Sequence, residues 1–171
     1  TQTPDYIMPS NSFLLHKDLG FKDDVFCFDF NHACSGYIYS LIFADNFLKS
    51  EKFNTLLLVN ADTYSKHISN NDRSTRVLFG DASAATLITK CFDNAGILDF
   101  QLSTYGNGYN NFWIPGGGHR DIDNKNNKIK MDGFGVWSFL NSVVPKQIME
   151  LLEKNEFHID DIDHFVFHQA S

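Results

Sequence analysis

Hydrophobic and polar positions follow helical and strand-like spacing by turns along this chain. Asn11 to Leu19 places Phe13, Leu14, Leu15 and Leu19 at helical spacing and stops at Gly20, which predicts a short helix. Val25 to Phe30 is a strand candidate. From Ser35 to Lys49, Tyr37, Leu41, Ala44 and Leu48 recur at helical intervals. Ile38, Ile42 and Phe43 widen that apolar face, so the pattern predicts a largely buried helix. Thr55 to Ala61 is a continuous apolar run, as expected of a parallel strand covered on both faces. Strand, helix, strand in that order predicts a right-handed crossover unit. Small residues dominate Ala82 to Ala85, after Phe79-Gly80-Asp81, and point to close packing of elements.

After a break at Cys91 to Ala95, a second half begins at Gly96. Ile97 to Ser103 reads as a strand. Tyr105 to Asn127 is rich in Gly and Asn and reads as a long loop, a feature usually tied to function inside a compact domain. Lys128 to Met131 is a short strand and Phe134 to Val144 is helical. Pro145 then starts or kinks a helix running to about Lys154. Ile159 to Ile162 turns into a last strand, Asp163 to Phe167.

Composition narrows the function classes. At 171 residues, 43% hydrophobic and 20% charged, the chain is globular, with an aromatic-heavy core from 17 phenylalanines. Its net charge of -7 argues against a nucleic-acid partner, which needs a basic face. An acidic partner must therefore dock on a local basic patch. Cys27, Cys34 and Cys91 are odd in number and widely spaced, so neither a disulfide framework nor a metal site is expected, and a reducing cytoplasm is the natural setting. Residues 1–20 lack the pattern of a signal peptide, and no apolar stretch approaches the roughly 18 residues that cross a bilayer, so no membrane role is expected.

Cys34 is the strongest chemical signal. It lies in Phe28-Asp29-Phe30-Asn31-His32-Ala33-Cys34-Ser35-Gly36-Tyr37, where a strand-like run gives way to a helical one. Free backbone N–H groups and the positive end of a helix favour the thiolate there, which suits a nucleophile. His168 ends the hydrophobic run Phe165-Val166-Phe167 and is the candidate base; His32 competes for that role, two residues before Cys34. The plainer reading, a structural cysteine and a surface histidine, stays open on composition alone. Asp81 reads as a residue bonding nearby backbone N–H groups, or as a metal or acid/base carboxylate. Lys66, His67, Arg73 and Arg76 form the most basic stretch, fit for a phosphate or simply solvated. Gly116-Gly117-Gly118 lacks the Gly-Lys-Ser/Thr that a phosphate loop needs and reads as a flexible loop.

Several of these segments occur together in a known family. Asp29 to Gly36, Asp72-Arg73-Ser74-Thr75, Phe79 to Ala85, Met131-Asp132-Gly133 and Phe167-His168-Gln169-Ala170 follow the order and spacing of the β-ketoacyl-acyl-carrier-protein synthase III family, thiolase-fold condensing enzymes. The chain resembles that family along essentially its whole length. The resemblance implies an α/β, thiolase-like fold of two similar halves in αβαβα layers, incomplete in this chain. Residues 1–92 correspond to the later part of the first half and residues 93–171 to the first part of the second. The chain thus resembles an internal fragment, inactive on its own. The third catalytic residue, an asparagine, is expected beyond its last residue.

The same resemblance implies the chemistry. An acyl-coenzyme A acylates Cys34. Decarboxylative condensation with malonyl-acyl carrier protein follows, promoted by His168, in fatty acid or related secondary-metabolite biosynthesis. No cofactor is implied beyond the coenzyme A thioester that serves as substrate, and a homodimer is expected. Arg73 matches a position near the coenzyme A nucleotide, and Gly133, Trp137 and Ala170 match positions along the pantetheine tunnel. Ser171 stands where the family often has asparagine, and Trp137 where phenylalanine is commoner. Met8 stands where a phenylalanine often reaches the partner's acyl pocket. Two other readings remain: acyl transfer to an oxygen or nitrogen acceptor without decarboxylation, and a non-catalytic truncated subunit.

Overall fold

The computed structural model describes residues 1–91 and 95–169, which fall into two units. The first comprises Thr1–Tyr64 and Asp81–Ala95; the second comprises Ser65–Gly80 and Gly96 onward.

In the first unit, helix α1 spans Asn11–Asp18. Its leading N–H groups, which no turn of helix can satisfy, are bound from a distance: Asn11 N and Ser12 N donate to the Asp29 carboxylate at 2.6 and 2.9 Å. It stops as predicted, with Gly20 in the left-handed region at φ +63°. Helix α2 spans Gly36–Lys49. Its buried stripe is Gly36, Ser40, Ala44 and Leu48, with Ile42 beside it. This corrects the predicted face, since Tyr37 and Ile38 stay exposed. Small residues at i, i+4 spacing let the helix pack closely, and Ser40 Oγ turns inward to its own turn, donating to Gly36 O at 2.7 Å.

Strand β1, Thr55–Thr63, pairs along all nine residues with β2, Asp81–Thr89, in register Thr55 to Thr89 and Thr63 to Asp81. The pairing is antiparallel, which corrects the expected parallel strand. Nor are both faces covered: Leu57 and Val59 are 42% and 38% exposed. Residues 25–30 join no ladder among the described residues, so the predicted strand–helix–strand crossover does not form.

In the second unit, a four-residue helix, α3 (Arg73–Arg76), is capped by Asp72, whose carboxylate accepts from Ser74 N at 2.9 Å, Ser74 Oγ at 2.5 Å and Thr75 Oγ1 at 2.8 Å. These side-chain bonds, from Ser74 first and then Thr75, hold the Asp72 carboxyl below its ordinary range. The long Gly/Asn loop carries a 3-10 stretch, Gly106–Asn111, and strand β3, Phe112–Trp113, which pairs antiparallel with β4, Lys130–Met131. Gly116-Gly117-Gly118 is a built turn rather than a flexible loop. Gly116 N donates to Asn126 O at 2.8 Å, and a Cβ on Gly116 would collide with the backbone of Asn124 and Asn126. Helix α4 runs unbroken from Gly133 to Lys154 through Pro145. Ile97 to Ser103 and Asp163 to Phe167 join no ladder among the described residues, so the strands predicted there do not form.

The end of α4 is clipped to residue 99. Lys154 Nζ and Asn155 Nδ2 both reach Asp99 Oδ2 at 2.7 Å, and these bonds lower the Asp99 pKa to about 2. A carboxyl lowered on folding adds stability above its unfolded value of about 3.9 and loses it as pH falls through the folded one. Acidification from about pH 4 toward 2 is therefore expected to free the α4 terminus, read by amide exchange of residues 150–156. Asp99→Asn should remove that step.

Candidate active site

Phe26, Phe28 and Phe30, two residues apart, point one way and stack on α2. Phe28 meets Phe47 at 6.1 Å between ring centroids, and Phe30 meets Phe43 at 5.4 Å. That packing fixes where the run hands over to the helix. The handover is a 3-10 turn, Ala33–Ser35, with Ala33 in the left-handed region at φ +48°, strained for a residue with a Cβ. Cys34 thus sits directly at the N-terminal end of the 14-residue helix α2. His32 packs against Tyr39 with ring centroids 3.8 Å apart and planes tilted by 51°, which engages the ring of the competing base.

A hydrogen-bonded knot flanks this turn, and sequence reading had not singled it out. Asp62 Oδ1, near the end of β1, accepts from Gln2 N at 2.6 Å, Thr1 Oγ1 at 3.1 Å, Thr3 N at 3.1 Å and Thr3 Oγ1 at 3.2 Å. The Tyr64 hydroxyl donates to Gln2 Oε1, and Gln2 Nε2 donates to Asn31 Oδ1 at 2.9 Å. Gln2 therefore ties the end of β1 to the loop that carries Cys34. The one local signal was polar Asn60 and Asp62 closing an otherwise apolar strand.

The charge of Asp62 reaches the sulfur. Although Cys34 is exposed as a residue, the protein around its sulfur strips hydration from the thiolate, and the thiol pKa is raised. The Cys34 backbone N–H pulls it down, and the Asp62 carboxylate pushes it up again. Tyr64 is raised for the same reasons: burial first, then Asp62, then Cys34. The expectation of a thiolate-favoured cysteine is thus corrected; in this structure burial outweighs the N–H bond. Removing the charge while keeping an acceptor, as Asp62→Asn does, is expected to lower the Cys34 pKa. Iodoacetamide should then alkylate Cys34 faster between about pH 7 and 9, with the midpoint of the rate profile shifted down.

The other residues singled out from sequence sit as follows. Arg73 is exposed at the first position of α3 and makes no salt bridge among the described residues. The basic stretch before it is tied to Lys128: Lys128 Nζ donates to Lys66 O at 2.9 Å, Ile129 N donates to His67 O at 2.9 Å, and His67 Nδ1 donates to Asn127 O at 2.8 Å. Gly133 and Trp137, at the start of α4, come together in one hollow of about 440 Å³ with Leu78, Met131 and Phe134. Met8 is 79% exposed in the first unit, and Asp81 opens β2 opposite Thr63. His168 is exposed, after α4 in the second unit. Ala170 and Ser171 lie outside the described residues. Among the described residues no group of three His, Cys, Asp or Glu side chains is placed to hold a metal, and no helix is long and apolar enough to cross a membrane.

Comparison with known proteins defines the class first. A solved 3-oxoacyl-(acyl-carrier-protein) synthase III superposes on 98% of this chain and 54% of its own, with a TM-score of 0.93 and 31% identity. The corresponding synthase of Burkholderia xenovorans superposes on 99% of the chain and 51% of its own, with a TM-score of 0.81 and 31% identity. The fold is that of the thiolase-like condensing enzymes, present in part. The family model for 3-oxoacyl-[acyl-carrier-protein] synthase III matches residues 28–106, which include the Cys34 turn and Arg73. The β-ketoacyl-[acyl-carrier-protein] synthase III of Ehrlichia canis is 37% identical over the whole of this chain and 53% of its own length. The chain is similar to these synthase III proteins along its whole length, and it spans about half the length of the relatives it matches.

Proposed function

We propose that this chain carries the nucleophile of a β-ketoacyl-[acyl-carrier-protein] synthase III-type acyltransferase. The observation that carries the reading is Cys34, held by a strained turn at the N-terminal end of α2 within the stretch that matches the family.

Cys34, as thiolate, attacks the carbonyl of an acyl-coenzyme A. A new thioester forms on Cys34, and the coenzyme A thiolate leaves and takes up a proton. The backbone N–H of Cys34 stabilises the oxyanion as the carbonyl becomes tetrahedral. Malonyl-acyl carrier protein then loses carbon dioxide. His168 donates a hydrogen bond to the malonyl thioester oxygen, where charge develops. The resulting enolate attacks the acyl-Cys34 carbonyl, forming the carbon–carbon bond and returning the Cys34 thiolate. An asparagine, the third catalytic group in this reading, assists His168.

Arg73 and the bonded Lys66–Lys128 stretch supply cations to the nucleotide phosphates of coenzyme A. The hollow at Gly133 and Trp137 is suited to the pantetheine arm, and the family resemblance assigns Ala170 and Ser171 to the same arm. Met8 shapes the acyl pocket at a homodimer contact, and the enzyme works in the cytoplasm.

The test is intact-mass spectrometry against a panel of acyl-coenzyme A donors. One acyl increment per chain, with a preferred donor, supports the reading. A donor panel that leaves the mass unchanged, or that transfers its acyl group onward to an oxygen or nitrogen acceptor without malonyl decarboxylation, contradicts it.

A further inference from the structure

Ala33, next to Cys34, sits at φ +48°, a region that a residue with a Cβ keeps only where its surroundings fix it. Two of the contacts that fix it are local: Ser35 Oγ donates to His32 O at 3.0 Å, and His32 packs against Tyr39. A third comes from 29 residues away in sequence, where Gln2 Nε2 donates to Asn31 Oδ1 at 2.9 Å. Gln2 is half-buried and is held on its other side by the end of β1. Its backbone N–H donates to Asp62 Oδ1 at 2.6 Å, its Oε1 accepts from the Tyr64 hydroxyl, and beside it Thr63 N donates to Thr3 Oγ1 at 2.8 Å. With Oε1 taken by the Tyr64 hydroxyl, the amide turns its N–H side to Asn31, so both ends of the amide are engaged at once. β1 in turn is paired with β2 along all nine residues, which makes its end a firm anchor.

We propose that Gln2 is a positioning residue for Cys34: its side chain is a strut from the end of β1 that keeps the strained turn closed and holds Cys34 at the N-terminal end of α2. Gln2 acts through Asn31, three residues before Cys34, and through the turn between them. Attack on a thioester carbonyl needs the sulfur and the Cys34 N–H to meet the substrate together, and a turn that opens part of the time is unproductive for that time. Loss of the strut therefore slows acylation without weakening the hold on the donor. That consequence rests on the acyl-transfer reading. The strut itself does not, because the strain at Ala33 and the bonds of Gln2 are properties of the turn alone.

The test compares the full chain with Gln2→Met, which keeps the length of the side chain and removes both of its hydrogen bonds. Amide exchange followed by mass spectrometry should quicken about three- to ten-fold in residues 31–36, the range that one lost hydrogen bond supplies, and stay unchanged in residues 55–63. Adding Ala33→Gly should recover most of the lost protection, because glycine holds a positive φ at no steric cost and the turn no longer needs the strut. A side chain that only adds general stability would not be rescued in this way. Unchanged exchange in residues 31–36, equal quickening in residues 55–63, or no recovery with Ala33→Gly each overturn the proposal. With acetyl-coenzyme A, Gln2→Met should lower the maximal rate of Cys34 acylation by a similar factor and leave the half-saturating donor concentration as it was; the reverse pattern also overturns it. A parent chain that takes up no acyl group contradicts the acyl-transfer reading, and the exchange comparison then decides the strut by itself.

Discussion

Cys34→Ala abolishes acyl-enzyme formation: labelled acyl-coenzyme A, which should transfer about one acyl group per chain, leaves only background counts. The effect is large because no neighbouring group can replace the sulfur. Cys27 is half-buried in the first unit, 2 residues from the carbonyl of Val25 that its thiol faces at 3.8 Å, and it has no helix end beside it. His32 is packed against Tyr39. The serine variant is expected to be nearly as inert, because a hydroxyl at this position ionises far less readily than a thiol. Unchanged labelling of Cys34→Ala, measured by scintillation after protein precipitation, would refute the assignment.

His168→Ala separates the two half-reactions. Acylation of Cys34 should persist, because the attack on the acyl-coenzyme A carbonyl is made by the Cys34 sulfur and not by His168. Malonyl decarboxylation should fall on the order of 100- to 1,000-fold, the usual cost of removing one donor from a developing negative charge. The paired readouts are acyl-enzyme mass and carbon dioxide release from malonyl-acyl carrier protein. Equal loss in both would show that His168 does not have the divided role proposed for it.

The helices and the Cys34 turn were legible because their signals are local. Gly20 ends α1 where a left-handed residue is needed, and the Asn31 to Gly36 stretch switches period within a few residues. Strand pairing was not legible. The apolar run 55–61 looks the same whether its neighbour is parallel or antiparallel, and the neighbour it found, β2, is small-residue sequence with little strand signature. The runs at 25–30, 97–103 and 163–167 have the composition of strands, but a ladder needs a partner, and composition cannot provide one. Pro145 reads as the start or the kink of a helix, yet one helix, α4, runs through it, since a proline removes one N–H donor and the turns on either side hold. The Asp62 knot was invisible for another reason: its donors lie about 60 residues away in sequence, and no spacing rule joins them. Burial raises the Cys34 pKa first, and the charge of Asp62 adds to it.

The most direct measurement is tandem mass spectrometry of the peptides from this protein after incubation with acetyl-coenzyme A. The account predicts the acetyl group on Cys34, as a thioester that hydroxylamine removes. Acetyl on Cys27 or Cys91, or an unmodified Cys34 in a chain whose β1 amides are protected from exchange, would contradict it.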